Sequence, residues 1–161
     1  MKTFPILLTG LLLVSCSPYP TEHNAHDNQF IQIFYHSGLY DEFDTFHGTY
    51  QKDLIPGIAK TTMWLTAREQ GIILDKVERS KFFSLPDTIY PELNAHQFPD
   101  MGPQVLRVKY RDQDKTVVWY FPLDARNIAT HLIESLQSLL DDIIASKPEY
   151  KALPPRKGGY Q

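Results

Sequence analysis

The sequence predicts one α+β domain over residues 30–161: a five-stranded antiparallel sheet with two helices on one face, ordered β-β-β-α-β-β-α. Three observations lead to this prediction. Short runs of β-branched and aromatic residues recur between turn signals, which is typical of strands. Two longer segments space their apolar residues with helical periodicity. The connections between most of these segments are short, and short connections favour antiparallel neighbours.

Three strands are expected in the first part of the domain. Residues 30–36 are β-branched and aromatic and stop at Ser37-Gly38, so they predict the first strand. Residues 45–53 predict a second, weaker strand. The turn signal Pro56-Gly57 precedes a third predicted strand over residues 58–65.

A helix is expected to begin at Thr66. Glu69 stands three residues further on, which is the spacing at which the two side chains can each satisfy the other's free backbone N–H. Ile72, Ile73 and Val77 then fall on one stripe of the helix, so this stripe is expected to face the core.

Two further strands and a second helix complete the domain. Residues 104–111 and 116–121 predict strands that are joined by a hairpin signal over 112–115. Asp124 is expected to cap the last helix, which should end at Lys147-Pro148. The apolar residues of that helix follow helical spacing: Ile128, Leu132, Leu136, Leu139, Leu140, Ile143 and Ile144.

Two segments of the domain are expected to lack long regular structure. Residues 82–103 carry four prolines, which exclude a long helix or a central strand. This proline-rich loop has more apolar side chains than a solvated loop needs. The tail that follows the last helix is expected to pack back through Tyr150 and Leu153.

The beginning of the chain carries an export and lipidation pattern. An apolar stretch over residues 4–14 follows Lys2 and has the length of a signal-peptide core, too short to span a bilayer. It ends at Leu13-Val14-Ser15-Cys16, which resembles the lipobox of bacterial lipoproteins, and Cys16 is the only cysteine. The resemblance implies that residues 1–15 are a signal peptide and that Cys16 carries acyl chains such as palmitate. Several acyl chains together give stable membrane attachment.

The resemblance also implies a location in the bacterial envelope. Residues 16–29 are expected to be the acylated cysteine and a flexible tether, because they are polar and lack periodicity. Ser17 does not match the inner-membrane retention signal known for some Gram-negative lipoproteins, so the outer membrane, facing the periplasm, is expected. A single cysteine excludes an intramolecular disulfide.

A second resemblance concerns the mature domain. The residues on which it depends are Leu65-Thr66, Glu69, Ile73, Val77, the run Phe82-Phe83-Ser84-Leu85-Pro86, and the late residues Pro154, Gly158, Gly159 and Tyr160. Together they look like small uncharacterised bacterial lipoproteins. This resemblance touches about half of the mature chain and implies a fold rather than an activity.

Composition and motifs give no specific reason to expect an enzyme. The formal net charge of −3 argues against a nucleic-acid binder, and no phosphate loop, nucleophile elbow or metalloprotease motif is present. His23 and His26 lie in the tether without a third ligand nearby, so no metal or other cofactor is expected. Ser37, His36 and Asp41 could be written as a nucleophile, base and orienting acid, although neighbouring residues seldom converge.

Two surfaces are candidates for binding. Alternation along residues 104–111 puts Arg107, Lys109 and Arg111 on one face, where Lys60, Trp64 or Tyr120 on neighbouring strands could extend a basic stripe for an acidic partner. A solvated sheet face explains the same pattern. In the proline-rich loop, Tyr90, His96 and Phe98 are the side chains least explained by packing against the domain.

The sequence therefore predicts a membrane-anchored periplasmic lipoprotein that works as a non-enzymatic binding or interaction module for a protein or envelope partner. A small envelope hydrolase using residues between His36 and His47 is one alternative. A periplasmic immunity or inhibitor protein is the other.

Overall fold

The computed structural model describes residues 30–91 and 102–158. The predicted signal peptide, lipobox and tether, together with His96 and Phe98, lie outside the described residues. The described strands are β1 Gln32–Ser37, β2 Asp41–Asp44, β3 Thr49–Asp53, β4 Ile58–Thr62, β5 Thr88–Ile89, β6 Gln104–Tyr110 and β7 Gln113–Trp119. The described helices are α1 Ala67–Arg79, α2 Ile128–Ser146 and α3 Pro148–Lys151, and a 3₁₀ turn spans Phe82–Ser84.

The strands form one seven-stranded mixed sheet in the order β4-β3-β2-β1-β6-β7-β5. Every pair is antiparallel except β5 with β7, which is parallel. The α+β class is confirmed, but the prediction of five antiparallel strands with two helices was wrong in detail. The strand β5 has two residues inside the proline-rich loop, and α3 is one turn that Pro148 begins.

The predicted strand over residues 45–53 is divided by a turn. The Asp44 carboxylate accepts hydrogen bonds from the backbone N–H groups of Phe46 and His47, at 2.8 and 3.3 Å. Gly48 then takes a positive φ of 66°, which a residue with a Cβ rarely adopts. A Cβ at this position would also overlap the Trp64 ring. The chain therefore reverses over residues 45–48, so only the second part of the predicted strand forms β3, and β2 lies before it in residues that were not predicted as a strand.

One face of the sheet carries the core, and the apolar stripes of α1 and α2 belong to that same core. Ile33 and Tyr35 of β1 and Leu106 and Val108 of β6 are buried there, whereas the side chains between them are only half-buried or exposed. The other face carries the exposed side chains of Arg107, Lys109 and Thr116, and we call it the open face. The predicted placement of both long helices on one face is confirmed.

The helix ends follow simple capping chemistry. Thr66 and Glu69 form the predicted capping box, with the Thr66 N–H donating to Glu69 Oε2 at 2.7 Å. The cap of α2 is Asn127 rather than Asp124, because Asn127 Oδ1 accepts from the Ala129 N–H at 2.9 Å. Asp124 instead accepts from the backbone N–H of Arg126 in the preceding turn.

A buried ion pair joins the two long helices. The Lys147 ammonium, which follows α2, donates to Glu69 Oε2 and, at 2.8 Å, to the carbonyl oxygen of Trp64. The Lys147 side chain is only 7% exposed. The end of α2 is therefore fixed against the start of α1, and this placement sets where α3 and the tail begin.

Candidate functional site

A cleft of about 290 Å³ lies where the second half of α2 and α3 meet the sheet. Its walls come from β1, β2, β3, α2 and α3, with Glu42, Phe43, Ile144 and Ala145 at their margins. The polar and aromatic side chains that line it are Tyr35, Ser37, Asp41, Tyr50, Asp141 and Tyr150. We call these six residues the cleft residues.

Strand register explains why these side chains share one face. Tyr35 is paired with Phe43, and Phe43 with Tyr50, so these three rings form one row across β1, β2 and β3. Two residues further along β1, Ser37 is paired with Asp41. Side chains two apart on a strand lie on the same face, so Ser37 and Asp41 extend the row at the mouth of the cleft.

Tyr35 and Asp141 form the central polar contact of the cleft. The Tyr35 hydroxyl, which is almost fully buried, donates to Asp141 Oδ1 at 3.0 Å. Burial raises the pKa of Tyr35 far above its usual range, so the hydroxyl keeps its proton. Burial also raises the pKa of Asp141, an effect that the hydrogen bond from Tyr35 opposes and the charges of Asp142 and Asp41 reinforce.

Asp41 holds the tail of the chain against the mouth of the cleft. Its Oδ1 accepts from the Asp53 N–H at 2.6 Å, and its Oδ2 accepts from the Arg156 guanidinium at 3.0 Å. Arg156 also donates through Nε to the carbonyl oxygen of Asp53 at 3.1 Å. A guanidinium from the same chain therefore occupies the outer side of one cleft carboxylate.

Aromatic rings form the third wall. Tyr150 packs edge-to-face on Tyr50 with ring centroids 5.6 Å apart, so the predicted return of the tail through Tyr150 is confirmed. The Lys52 ammonium lies 4.4 Å from the Tyr150 ring centroid. Burial, followed by the negative charge of Asp41, raises the pKa of Tyr50, so this hydroxyl also stays protonated.

The structure does not bring Ser37, His36 and Asp41 together as a triad. His36 is paired with Glu42, one residue away from the Ser37–Asp41 pair, and its side chain therefore faces the opposite side of the sheet. Ser37 instead lines the cleft beside Tyr35 and Asp41. Within residues 30–91 and 102–158, no group of three or more His, Cys, Asp or Glu side chains could hold a metal ion.

The predicted basic stripe is only partly formed. Arg107 and Lys109 are exposed on the open face, but Arg107 makes a two-pronged ion pair with Asp114 at 2.8 and 2.7 Å. The placement of Arg111 on that strand was wrong. It lies in the turn that joins β6 to β7, with a φ of 53°, and its guanidinium stacks on the Tyr110 ring at 4.9 Å.

The predicted extension of this stripe is also wrong in part. Lys60 lies on β4, and β3, β2 and β1 separate that strand from β6. Trp64 follows β4 at the same edge and packs on Gly48. Tyr120 follows β7, which does neighbour β6, and is 40% exposed. Tyr90, directly after β5, is 73% exposed, so its side chain is available for contact.

Sequence reasoning did not find the cleft. Tyr35 and Asp141 are 106 positions apart, so no local spacing links them. The sequence did contain one indication of the cleft. Tyr35 and Ser37 carry hydroxyl groups at the two inward-facing positions that follow Ile33 on β1, where apolar side chains are expected. No family model and no curated protein shows significant similarity to the chain, so the geometry of the cleft carries the functional argument.

Proposed function

We propose that this protein is a non-enzymatic binding module, held at the bacterial envelope by acyl chains on Cys16, and that the cleft is its binding site. The observation that carries the proposal is the convergence of three tyrosines and two aspartates around a cleft of about 290 Å³. Ligand sites are concave, largely apolar and furnished with a few well-placed polar groups. The cleft is concave and holds several such polar groups together with the apolar side chains of Phe43 and Ile144. A wider depression of about 750 Å³ lies beside β7 on the open face, lined by Asp114, Thr116 and Val118 among others, and no tyrosine lines it.

The chemistry of the cleft favours binding over catalysis. Neither Tyr35 nor Tyr50 can act as a base near neutral pH, because both keep their protons. On the neighbouring strand, the residue paired with Ser37 is Asp41 and not a histidine. A nucleophile needs an adjacent base to be activated. The two cleft carboxylates accept hydrogen bonds from other groups, Asp41 from the Asp53 N–H and Arg156, and Asp141 from Tyr35, rather than from Ser37.

The proposed anchor rests on the lipobox-like residues Leu13-Val14-Ser15-Cys16. A tether over residues 17–29 would let the domain reach at most about 40 Å from the membrane surface. None of the described helices has the length and apolar character needed to cross a bilayer. An outer-membrane location follows from Ser17 by the lipoprotein sorting rule, and a partner in the periplasm or the envelope is expected.

Site-specific photo-crosslinking in the native cell tests the proposal. A benzoylphenylalanine at Ala145, an exposed residue at the margin of the cleft, should yield a discrete crosslinked product. The matched control places the same residue at Thr116, which is exposed and paired with Arg107 on the open face. Products from Thr116 and none from Ala145 would contradict the proposal and favour an immunity or inhibitor protein that uses the open face.

A further inference from the structure

The two cleft aspartates differ in how their charges are balanced. Asp41 is paired with the Arg156 guanidinium at 3.0 Å. Asp141 accepts a hydrogen bond from the neutral Tyr35 hydroxyl, and no cation among the residues described lies within ion-pair distance of it. The cleft therefore contains one carboxylate with a cationic partner and one that lacks such a partner within the described chain.

The aromatic wall already interacts with a cation. The Lys52 ammonium lies 4.4 Å from the centre of the Tyr150 ring, and Lys52 itself is almost buried. Cations are attracted to the faces of tyrosine rings, and the attraction grows when water is excluded. Tyr150 packs against Tyr50, and both residues line the same cleft as Asp141, so a cation that enters beside Asp141 lies in a cleft with an aromatic wall.

Arg156 is held by contacts that can exchange. Its side chain is 45% exposed, and it makes one ion pair with Asp41 and one hydrogen bond with a backbone oxygen. Exposed ion pairs of this kind contribute little to stability, so another guanidinium could replace Arg156. The pair between Arg156 and Asp41 thus shows that a cleft carboxylate can bind a guanidinium group.

We infer that the cleft binds a guanidinium or ammonium group, which pairs with Asp141 against the tyrosine rings and competes with Arg156 for Asp41. The inference rests on the proposed function and names the ligand class of the same site. A volume of about 290 Å³ lies at the lower end of the range for ligand pockets, which suits a single side-chain-sized group.

A matched pair of small compounds tests the inference. The full-length chain in detergent is titrated with n-butylguanidinium and with its neutral isostere n-butylurea, and the backbone amide NMR signals of Ser37 and Ala145 are followed. The guanidinium should shift these signals and bind at least about tenfold more tightly than the urea, since hydrogen bonds between charged groups are stronger than those between neutral ones. Equal binding of the two compounds would overturn the inference and leave the cleft standing as a binding site.

Three variants assign the effect to the named residues. Asp141→Asn should weaken n-butylguanidinium binding about tenfold or more, whereas Asp142→Asn, the neighbouring carboxylate that does not line the cleft, should leave it within twofold. Arg156→Gln should strengthen binding, because it removes the competing guanidinium. Unchanged binding in Asp141→Asn would overturn the inference even if crosslinking from Ala145 succeeds.

A second arm identifies the source of the cation. The peptide acetyl-Gly-Arg-Gly-amide and the polyamine spermidine are titrated under the same conditions. Tighter binding of the peptide indicates an arginine of a protein partner, and tighter binding of spermidine indicates a free polyamine. If n-butylguanidinium, the peptide and spermidine all leave the Ser37 and Ala145 signals unshifted, the inference is wrong, and the crosslinking result then decides the proposed function separately.

Discussion

At the scale of single residues, the contact between Tyr35 and Asp141 determines the character of the cleft. The hydroxyl donates at 3.0 Å to a carboxylate that burial disfavours in its charged form. The contact therefore keeps Asp141 more acidic than its surroundings alone would allow. It also fixes the position of the carboxylate between the sheet and α2, which is the position that a cation would meet.

Tyr35→Phe should raise the pKa of Asp141 and lower the free energy of unfolding by about 1 kcal/mol, because one partly buried hydrogen bond is lost while the ring remains. NMR titration of the Asp141 carboxyl carbon and urea denaturation measure the two effects. The exposed Tyr120→Phe is the control and should change neither. An unchanged or lowered Asp141 pKa in Tyr35→Phe would show that the hydrogen bond is not formed.

Cys16 is the second residue on which the account depends. Cys16→Ala should abolish labelling by radioactive palmitate and prevent lipoprotein-type cleavage, because the acylated thiol is the group that this processing requires. The matched variant Ser17→Ala should still be labelled and cleaved. If Cys16→Ala remained labelled and bound to membranes, the lipobox interpretation would be wrong.

Residue-level prediction from the sequence succeeded where the partners are close in the chain. Thr66 and Glu69 form their capping box three residues apart, as predicted. The strand alternation also placed Arg107 and Lys109 correctly on an exposed face. It failed for Arg111, because the hairpin turn falls one residue before the predicted strand end. The Tyr35–Asp141 contact joins β1 to α2 across most of the domain, and nothing local encodes it.

At the scale of elements, the ion pair between Lys147 and Glu69 holds α1 and α2 in register. Burial disfavours the Glu69 charge, but the hydrogen bonds from Lys147 and Thr66 outweigh it and lower the pKa of Glu69 below its usual value of 4.5. A carboxylate with a lowered pKa in the folded state stabilises the fold fully above its unfolded pKa. That contribution is lost as the pH falls through the folded value.

Glu69→Gln should therefore lower the free energy of unfolding by about 2 kcal/mol at pH 7, since it leaves the nearly buried Lys147 ammonium without its counter-charge. The deficit should shrink as the pH falls below about 4.5, where the wild-type protein loses the same contribution. Urea denaturation from pH 7 to pH 3 measures this.

Asp75→Asn removes a solvent-exposed ion pair with Arg79 on the same helix and is the matched control. It should cost less than about 0.5 kcal/mol at pH 7, because exposed pairs contribute little. A Glu69→Gln protein as stable as Asp75→Asn at neutral pH would mean that the buried pair does not hold the two helices together.

Element prediction from the sequence was limited by strand length. The long helices and the strands β1, β6 and β7 have enough residues for their periodicity to show. The strand β2 has four residues, three of them acidic, and β5 has two. Neither segment has a usable pattern, and the parallel pairing of β5 with β7 joins residues 30 positions apart. Such pairings depend on the tertiary fold rather than on local preference.

At the scale of the whole molecule, the fold separates two surfaces of different chemistry. The side of the sheet that carries the helices also carries the cleft, with its aspartates and tyrosines. The open face carries Arg107 and Lys109, and the charge of Arg107 is already balanced by Asp114. The sequence could predict that Arg107 and Lys109 are exposed on one face, because both residues lie on the single strand β6. The cleft requires β1, β2, β3, α2 and α3 together, so only the assembled domain reveals it.

The central claim is that the cleft, and not the open face, is the binding site. The most direct measurement is crosslinking to the partner from a photo-reactive residue at Glu149 of α3, compared between two variants of the full chain. Ala145→Trp fills the margin of the cleft without removing a described contact, and the triple variant Arg107→Gln, Lys109→Gln and Arg111→Gln neutralises the basic side chains. We predict that Ala145→Trp abolishes the crosslink and that the triple variant preserves it, with both melting temperatures within a few degrees of the wild type. Loss of the crosslink in the triple variant and its retention in Ala145→Trp would contradict the account.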